Sequence, residues 1–290
     1  ATEAYKLTRS ALHRVGDPVS GDTLILAQGV NPALTLEDID YPSVIVTPGS
    51  SWAVAKVHHG DASEIDLYAA PLDSAIGSDA TWQLICDRDD QVVDFAVRGD
   101  AIYLLTADDA PRYRVVRQPL ADPGFESSVE VVPQSDAILT GLAATADGLY
   151  VGSMASGVDS ILRVPLAPPQ PPMRLEPPDS GASLHVVAAD PLLPGIHAYA
   201  SSWTRGGQRY SYDPVQDAFT LAVRDWPSSG IPPSPAGWII TTARNRAVDG
   251  LRREAGRGDK QRKAALLQAA RSPAPLTPED HVIAELSRED

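Results

Sequence analysis

Residues 1–214 are filled by short apolar runs in which apolar and polar positions alternate, and Gly, Asp and Pro separate the runs. Alternation with period two predicts strands, because successive side chains on a strand point to opposite faces. Residues 91–133 show the pattern most fully, with four runs in succession: QVVDFAV, AIYLLTA, RYRVVRQ and SVEVVP. Turn residues such as Arg98-Gly99-Asp100 and Ala146-Asp147-Gly148 stand between runs of this kind.

The runs repeat. EIDLYAAPL, RYRVVRQPL and DSILRVPL end in Pro-Leu at 71–72, 119–120 and 165–166, and QRYSYDP ends at Pro214. Upstream of these lie SSWAVAKV, GDAIYLLTA, DGLYVGSMA and GIHAYASSW, in which Ile102, Leu149 and Ile196 recur every 47 residues. Four antiparallel strands in a unit of this length predict β-propeller blades; a β-sandwich is the competing architecture. The opening runs, ALHRV and DTLILAQ, read as half a blade, followed by three complete blades and one short of its last strand. The expectation is a mainly β chain, a partial propeller of about four to five four-stranded blades over residues 1–214.

A helical period appears only after that. Val215, Ala218, Phe219, Ala222, Val223 and Trp226 fall at helical spacing, although Phe219, Leu221 and Val223 also alternate and admit a final strand. Ser234-Pro235 is a helix start, and Ile240, Ala243, Ala247, Val248 and Leu251 make one apolar stripe before Gly256. Residues 260–271 and 277–287 read as two further helices. Residues 215–290 are therefore expected to form a small α-helical segment.

Charge follows the same division. The chain of 290 residues carries −14 overall. Residues 1–214 hold 13 Lys and Arg against 28 Asp and Glu, whereas residues 241–271 hold nine against three. An acidic body repels nucleic acid, while the late basic stretch can meet phosphate. Cys86 is the one cysteine, so no internal disulfide forms and a reducing, cytoplasmic setting is expected. No apolar run is long enough to span a membrane and the start lacks a signal-peptide core. Beginning on Ala1, the sequence reads as a fragment.

Chemistry-bearing patterns are sparse. No G-x-S-x-G nucleophile elbow occurs, and Ser153 in GSMASG stands at a strand end outside that pattern. His58 and His59 are adjacent on a predicted strand, so they point to opposite faces and do not share a metal; a solvated hairpin tip is the expectation. Asp89-Asp90 and Asp108-Asp109 read as turn carboxylates. No catalytic residue, cofactor or metal ligand is nominated.

Two resemblances extend this reading. ALHRVGDPVSGDTLILA, with His13, Arg14 and Gly16, and the later YASSWTRGGQRYSYDP resemble the propeller of prolyl-oligopeptidase-type serine peptidases. The resemblance implies part of a seven-bladed propeller that binds or filters short peptides, inert without its partner, an α/β-hydrolase domain. The stretch VQDAFTLAVRDWPSSGIPPSPAGWIITTARNRAVDGLRRE resembles region two of a bacterial extracytoplasmic-function sigma factor, and residues 276–290 its linker. That implies RNA polymerase core contacts at Gln216, Asp217 and Phe219. It also implies contacts to the single-stranded −10 promoter DNA at Trp238, Arg244, Asn245, Arg246, Arg252 and Arg253, in a bacterial cytoplasm. A chimera of two fragments without a joint function is the third expectation.

Overall fold

The computed structural model describes residues 6–76, 80–166, 172–175 and 183–213, together with Ser234. All of them belong to one compact unit. The stretch carrying Gln216, Asp217, Phe219, Trp238, Arg244, Asn245, Arg246, Arg252 and Arg253 lies outside the described residues, and so do the expected helices.

Among the described residues, seventeen strands form five antiparallel sheets. The first pairs β1 (Ser10–Leu12) with β2 (Thr23–Leu26). Blade I is β3 (Asp40–Val46), β4 (Trp52–His59), β5 (Ile65–Pro71) and β6 (Gln83–Cys86), hydrogen-bonded in that order. Blade II is β7 (Val92–Arg98), β8 (Ala101–Thr106), β9 (Arg114–Pro119) and β10 (Val129–Val132). Blade III is β11 (Ile138–Thr145), β12 (Gly148–Ala155), β13 (Val158–Val164) and β14 (Met173–Leu175). Blade IV has three described strands, β15 (Ser183–Ala189), β16 (Ile196–Ser202) and β17 (Arg205–Tyr212).

The repeating sequence runs are the second and third strands of each blade. Their Pro-Leu ends have a mechanical reason. Proline closes β5 and β9, where no further ladder donor is needed. The leucine that follows then donates its N–H back to the hairpin between strands one and two: Leu72 to Ser51 O and Leu120 to Asp100 O, both at 2.9 Å. The first sheet is shorter than expected. Gly16 takes a left-handed φ of +100° and Pro18 leads into a 3-10 turn, so His13, Arg14 and Val15 leave the strand. His13 Nδ1 instead meets Asp22 Oδ1 at 2.7 Å.

Period-two alternation puts each central strand into two cores. On β4, Ala53, Ala55 and Val57 pack toward Leu26, Leu34 and Trp82, whereas Val54 joins Ile65, Leu67, Ile102 and Leu104 between blades I and II. On β8, Ile102 and Leu104 face that core, while Ala101, Tyr103 and Leu105 face Leu139, Leu149 and Val151 of blade III. Tyr150 takes the other side of β12 and meets Tyr212 of blade IV edge-on, with ring centroids 6.2 Å apart. Face-to-face stacking of sheets in chain order follows from this alternation, since neither face of β4, β8 or β12 is left to water.

The hairpins between strands one and two link blade to blade. Ser51 N donates to Asp100 Oδ1 at 2.9 Å, Arg98 Nη2 to Ala146 O at 3.0 Å, and Gly195 N to Asp147 Oδ1 at 2.8 Å. Leu192 of blade IV then lies against Gly49 of blade I: a Cβ on Gly49 would fall 2.7 Å from Leu192 Cδ2. The hairpins of blades I to IV thus form a circuit whose last joint is apolar.

Candidate ligand-binding site

The first strands of blades II, III and IV each carry a bulge at the same level. Pairing skips Val93 on β7, Thr140 on β11 and Val187 on β15. These positions are spaced by 47 residues, the interval of the sequence repeat. A bulge leaves one residue out of the ladder and bends the strand, which exposes backbone polar groups and makes room beside it.

The room is a cavity of about 350 Å³ lined by Asp94, Thr140 to Ala143, Gly152 and Leu184 to Ala189. The residues after the bulges are Asp94, Gly141 and Ala188. The two small ones leave space that the one large one faces: a Cβ on Gly141 would lie 3.8 Å from Asp94 Oδ2. Asp94 Oδ1 accepts the Phe95 N–H at 2.8 Å and Oδ2 accepts the Leu142 N–H at 2.9 Å. Burial pushes the Asp94 carboxyl above the usual carboxylate range; these two N–H groups and the Lys56 ammonium pull the other way without offsetting it. Beside the cavity, the His185 ring sits 5.4 Å from that of Tyr199.

Two further polar clusters are structural. Asp147 accepts hydrogen bonds from Gly195 N, from Thr145 Oγ1 at 2.7 Å and from Tyr150 Oη at 2.9 Å, and pairs with Arg163 Nε at 2.7 Å. Burial alone would raise its pKa, but these partners together hold it below the usual carboxylate range. Burial pushes the Tyr150 hydroxyl upward and the Asp147 charge adds to the shift; burial works against Arg163, but Asp147 and Tyr150 together raise it.

The second cluster corrects the expectation for His59. It is no solvated hairpin tip: β4 runs to His59, which is only 6% exposed. Its Nδ1 lies 2.9 Å from Asp40 Oδ1 and its Nε2 3.1 Å from Asp66 Oδ2, although Nε2 is off the line of a hydrogen bond and Asp66 Oδ1 has no hydrogen-bond partner either. The carboxylates on the flanking strands make burial of the ring tolerable, which the sequence of β4 alone does not reveal. Burial raises the Asp66 pKa, partly offset by His59. His58, on the other face of β4, pairs in register with Tyr41 and Ile65.

Ser153 stands inside β12 rather than at its end, and its hydroxyl lies 2.9 Å from that of Ser160 on β13. Asp89 and Asp90 lie in a 3-10 turn after β6 that Asp87 caps by accepting the Asp89 N–H, with the Asp90 carboxylate accepting the Asp87 N–H in return, and Asp109 takes a left-handed turn conformation, as turn carboxylates should. Among the described residues no group of three or more His, Cys, Asp and Glu side chains converges as a metal site. Sequence reasoning missed Asp94. The signal was a lone charge inside the otherwise apolar QVVDFAV.

Comparison with known proteins adds an independent finding. The sequence profile described as "Prolyl oligopeptidase, N-terminal beta-propeller domain" matches residues 2–223. Prolyl oligopeptidase A of Galerina marginata is 28% identical over 141 residues, covering 48% of this chain and 18% of that protein. Solved structures with the same fold include a prolyl endopeptidase (TM-score 0.59, 21% identity, 74% of this chain and 30% of that one). Others are prolyl oligopeptidase B of Galerina marginata bound to a 35mer substrate (TM-score 0.59, 17% identity, 73% and 29%) and oligopeptidase B of Leishmania major (TM-score 0.53, 15% identity, 71% and 29%). The chain thus spans less than a third of the length of these relatives. The profile match takes in Gln216, Asp217 and Phe219, and none of these matches supports the sigma-factor resemblance or a chimera.

Proposed function

Because the chain belongs to the family of prolyl oligopeptidase N-terminal β-propeller domains, we propose that it is the peptide-binding, substrate-gating portion of a prolyl-oligopeptidase-type serine peptidase and is not catalytic by itself. The observation that carries this reading is the family match over residues 2–223. The first strands of blades II to IV supply a second support. Their bulges leave unpaired backbone beside a cavity, a surface on which an extended peptide can find hydrogen bonds. The hydrolase domain that such propellers accompany is the proposed partner, and short peptides the proposed ligands.

The test is to titrate the 290-residue chain with proline-containing peptides of five to ten residues by calorimetry, and to follow the same mixtures by mass spectrometry. Saturable binding without new fragments is expected. Absence of binding by a folded chain contradicts the peptide-binding role. Labelling of one serine by a fluorophosphonate, abolished by a single Ser→Ala change, contradicts the non-catalytic role.

A further inference from the structure

Asp94 is the one carboxylate among the residues lining its cavity, which Thr140 and His185 also line. A carboxylate has about four lone-pair sites on its two oxygens, and backbone N–H groups occupy one on each oxygen. About two therefore remain. At the equivalent positions of the next two blades, Gly141 and Ala188 contribute no polar side-chain atom, so no second carboxylate stands at this level to share a metal ion. The walls on either side are alkyl: Leu142, Leu184 and Val186. Burial disfavours the charged form of Asp94, and Lys56 offsets this only in part. A half-buried carboxylate so placed gains from a cation brought in from outside.

We propose that this cavity is a binding site for an alkylammonium group, with the ammonium on the free lone pairs of Asp94 and the alkyl stem between β11 and β15. An ammonium suits the geometry better than a guanidinium. Both oxygens already hold an N–H each, so a planar fork needing two parallel acceptors would compete with Phe95 and Leu142, whereas a compact point charge needs one open direction. The group can come from a free amine or from a lysine side chain. This inference concerns the cavity that also supports the peptide-binding reading, but it rests on Asp94 and its surroundings alone, and neither depends on a hydrolase domain.

The test is isothermal titration of the 290-residue chain at pH 7 with three probes: n-butylammonium, uncharged n-butanol, and an N-acetylated, C-amidated tripeptide with lysine at its centre. Either cation should bind with a Kd on the order of 1 mM, and butanol should not. Asp94→Asn keeps the shape and one acceptor for Leu142; it should weaken binding of the cation at least tenfold. Ala188→Leu leaves the carboxylate intact and fills the space, and it should abolish binding with an unchanged circular dichroism spectrum. Binding by the tripeptide but not by butylammonium would assign the source to a peptide, still through Asp94. Failure of both cations to bind the folded chain overturns the proposal. So does equal binding by Ala188→Leu, a test that survives if Asp94→Asn fails to fold.

Discussion

Asp94 and Leu142 are 48 residues apart in sequence and joined by one hydrogen bond of 2.9 Å, from the Leu142 N–H to Asp94 Oδ2. Asp147 and Gly195 repeat the relation, again over 48 residues, at 2.8 Å. In both pairs a carboxylate of one blade accepts a backbone N–H of the next, so the sequence period reappears as a step between sheets. The first pair belongs to a cavity and the second to a satisfied network, and they should respond differently to mutation.

Asp147→Ala should be among the most damaging single changes. It strips Arg163, Tyr150, Thr145 and Gly195 of their shared acceptor and leaves a largely buried guanidinium unpaired. Breaking a buried pair from one side costs about 3–5 kcal/mol. Urea denaturation should show a loss of that size, with Asp147→Asn losing less because it keeps a carbonyl acceptor.

The two aspartates should also pull stability in opposite directions with pH. Asp147 has its folded pKa held below the ordinary carboxylate value, so its contribution is present above that value and is lost as pH falls through the folded one. Asp94 has its folded pKa raised, so its ionised form costs stability. That cost is absent below the ordinary value and grows as pH rises through the raised one. Denaturant midpoints measured from pH 3 to 7 should therefore fall less on acidification in Asp147→Asn than in the wild type, and fall more in Asp94→Asn.

Two hairpin glycines separate conformational strain from crowding. Gly99 has φ +56° and open space where a Cβ would sit, so Gly99→Ala should cost only the left-handed penalty of about 1–2 kcal/mol. Gly148 has φ +152°, and its Cβ would fall 2.5 Å from Val164 O, a backbone atom with no rotamer to yield. Gly148→Ala should cost about 3 kcal/mol or more, since overpacking adds to strain. Equal losses in thermal melts of the two variants would contradict this account.

Much of the architecture was legible because it is periodic. Ile102, Leu149 and Ile196 recur, and each begins or nearly begins a second strand, buried on both faces in β8 and β12 and on one face in β16. The Pro-Leu pairs mark third-strand ends because proline stops a ladder there. The bulges at Val93, Thr140 and Val187 keep the same interval, yet they were not legible: a bulge is defined by what the partner strand skips, not by the residue that is skipped. His59 failed for a related reason. Its burial depends on Asp40 and Asp66, which sit on other strands and mean nothing to the local pattern of β4. Asp94 was visible as a charge in an apolar run, but its cavity exists only because Gly141 and Ala188 stand beside it in space.

The His59 cluster offers a check on that last point. His59→Ala leaves Asp40 and Asp66 facing a buried gap without the ring between them. A loss of about 1–3 kcal/mol is expected from buried carboxylate oxygens left without their partner, whereas His58→Ala, on the other face of β4, should lose less than about 1 kcal/mol, as most changes away from buried networks do. Comparable losses in denaturant titrations would mean that His59 is exposed after all.

The central claim is that the first strands of blades III and IV, beside Asp94 of blade II, present a peptide-binding surface in a propeller without chemistry of its own. Hydrogen exchange of the 290-residue chain, with and without a saturating proline-containing hexapeptide, tests it most directly. The account predicts slowed exchange concentrated in residues 138–145 and 183–189, with the hexapeptide recovered intact. Unchanged exchange in both segments at saturation, or recovery of a cleaved peptide, would contradict it.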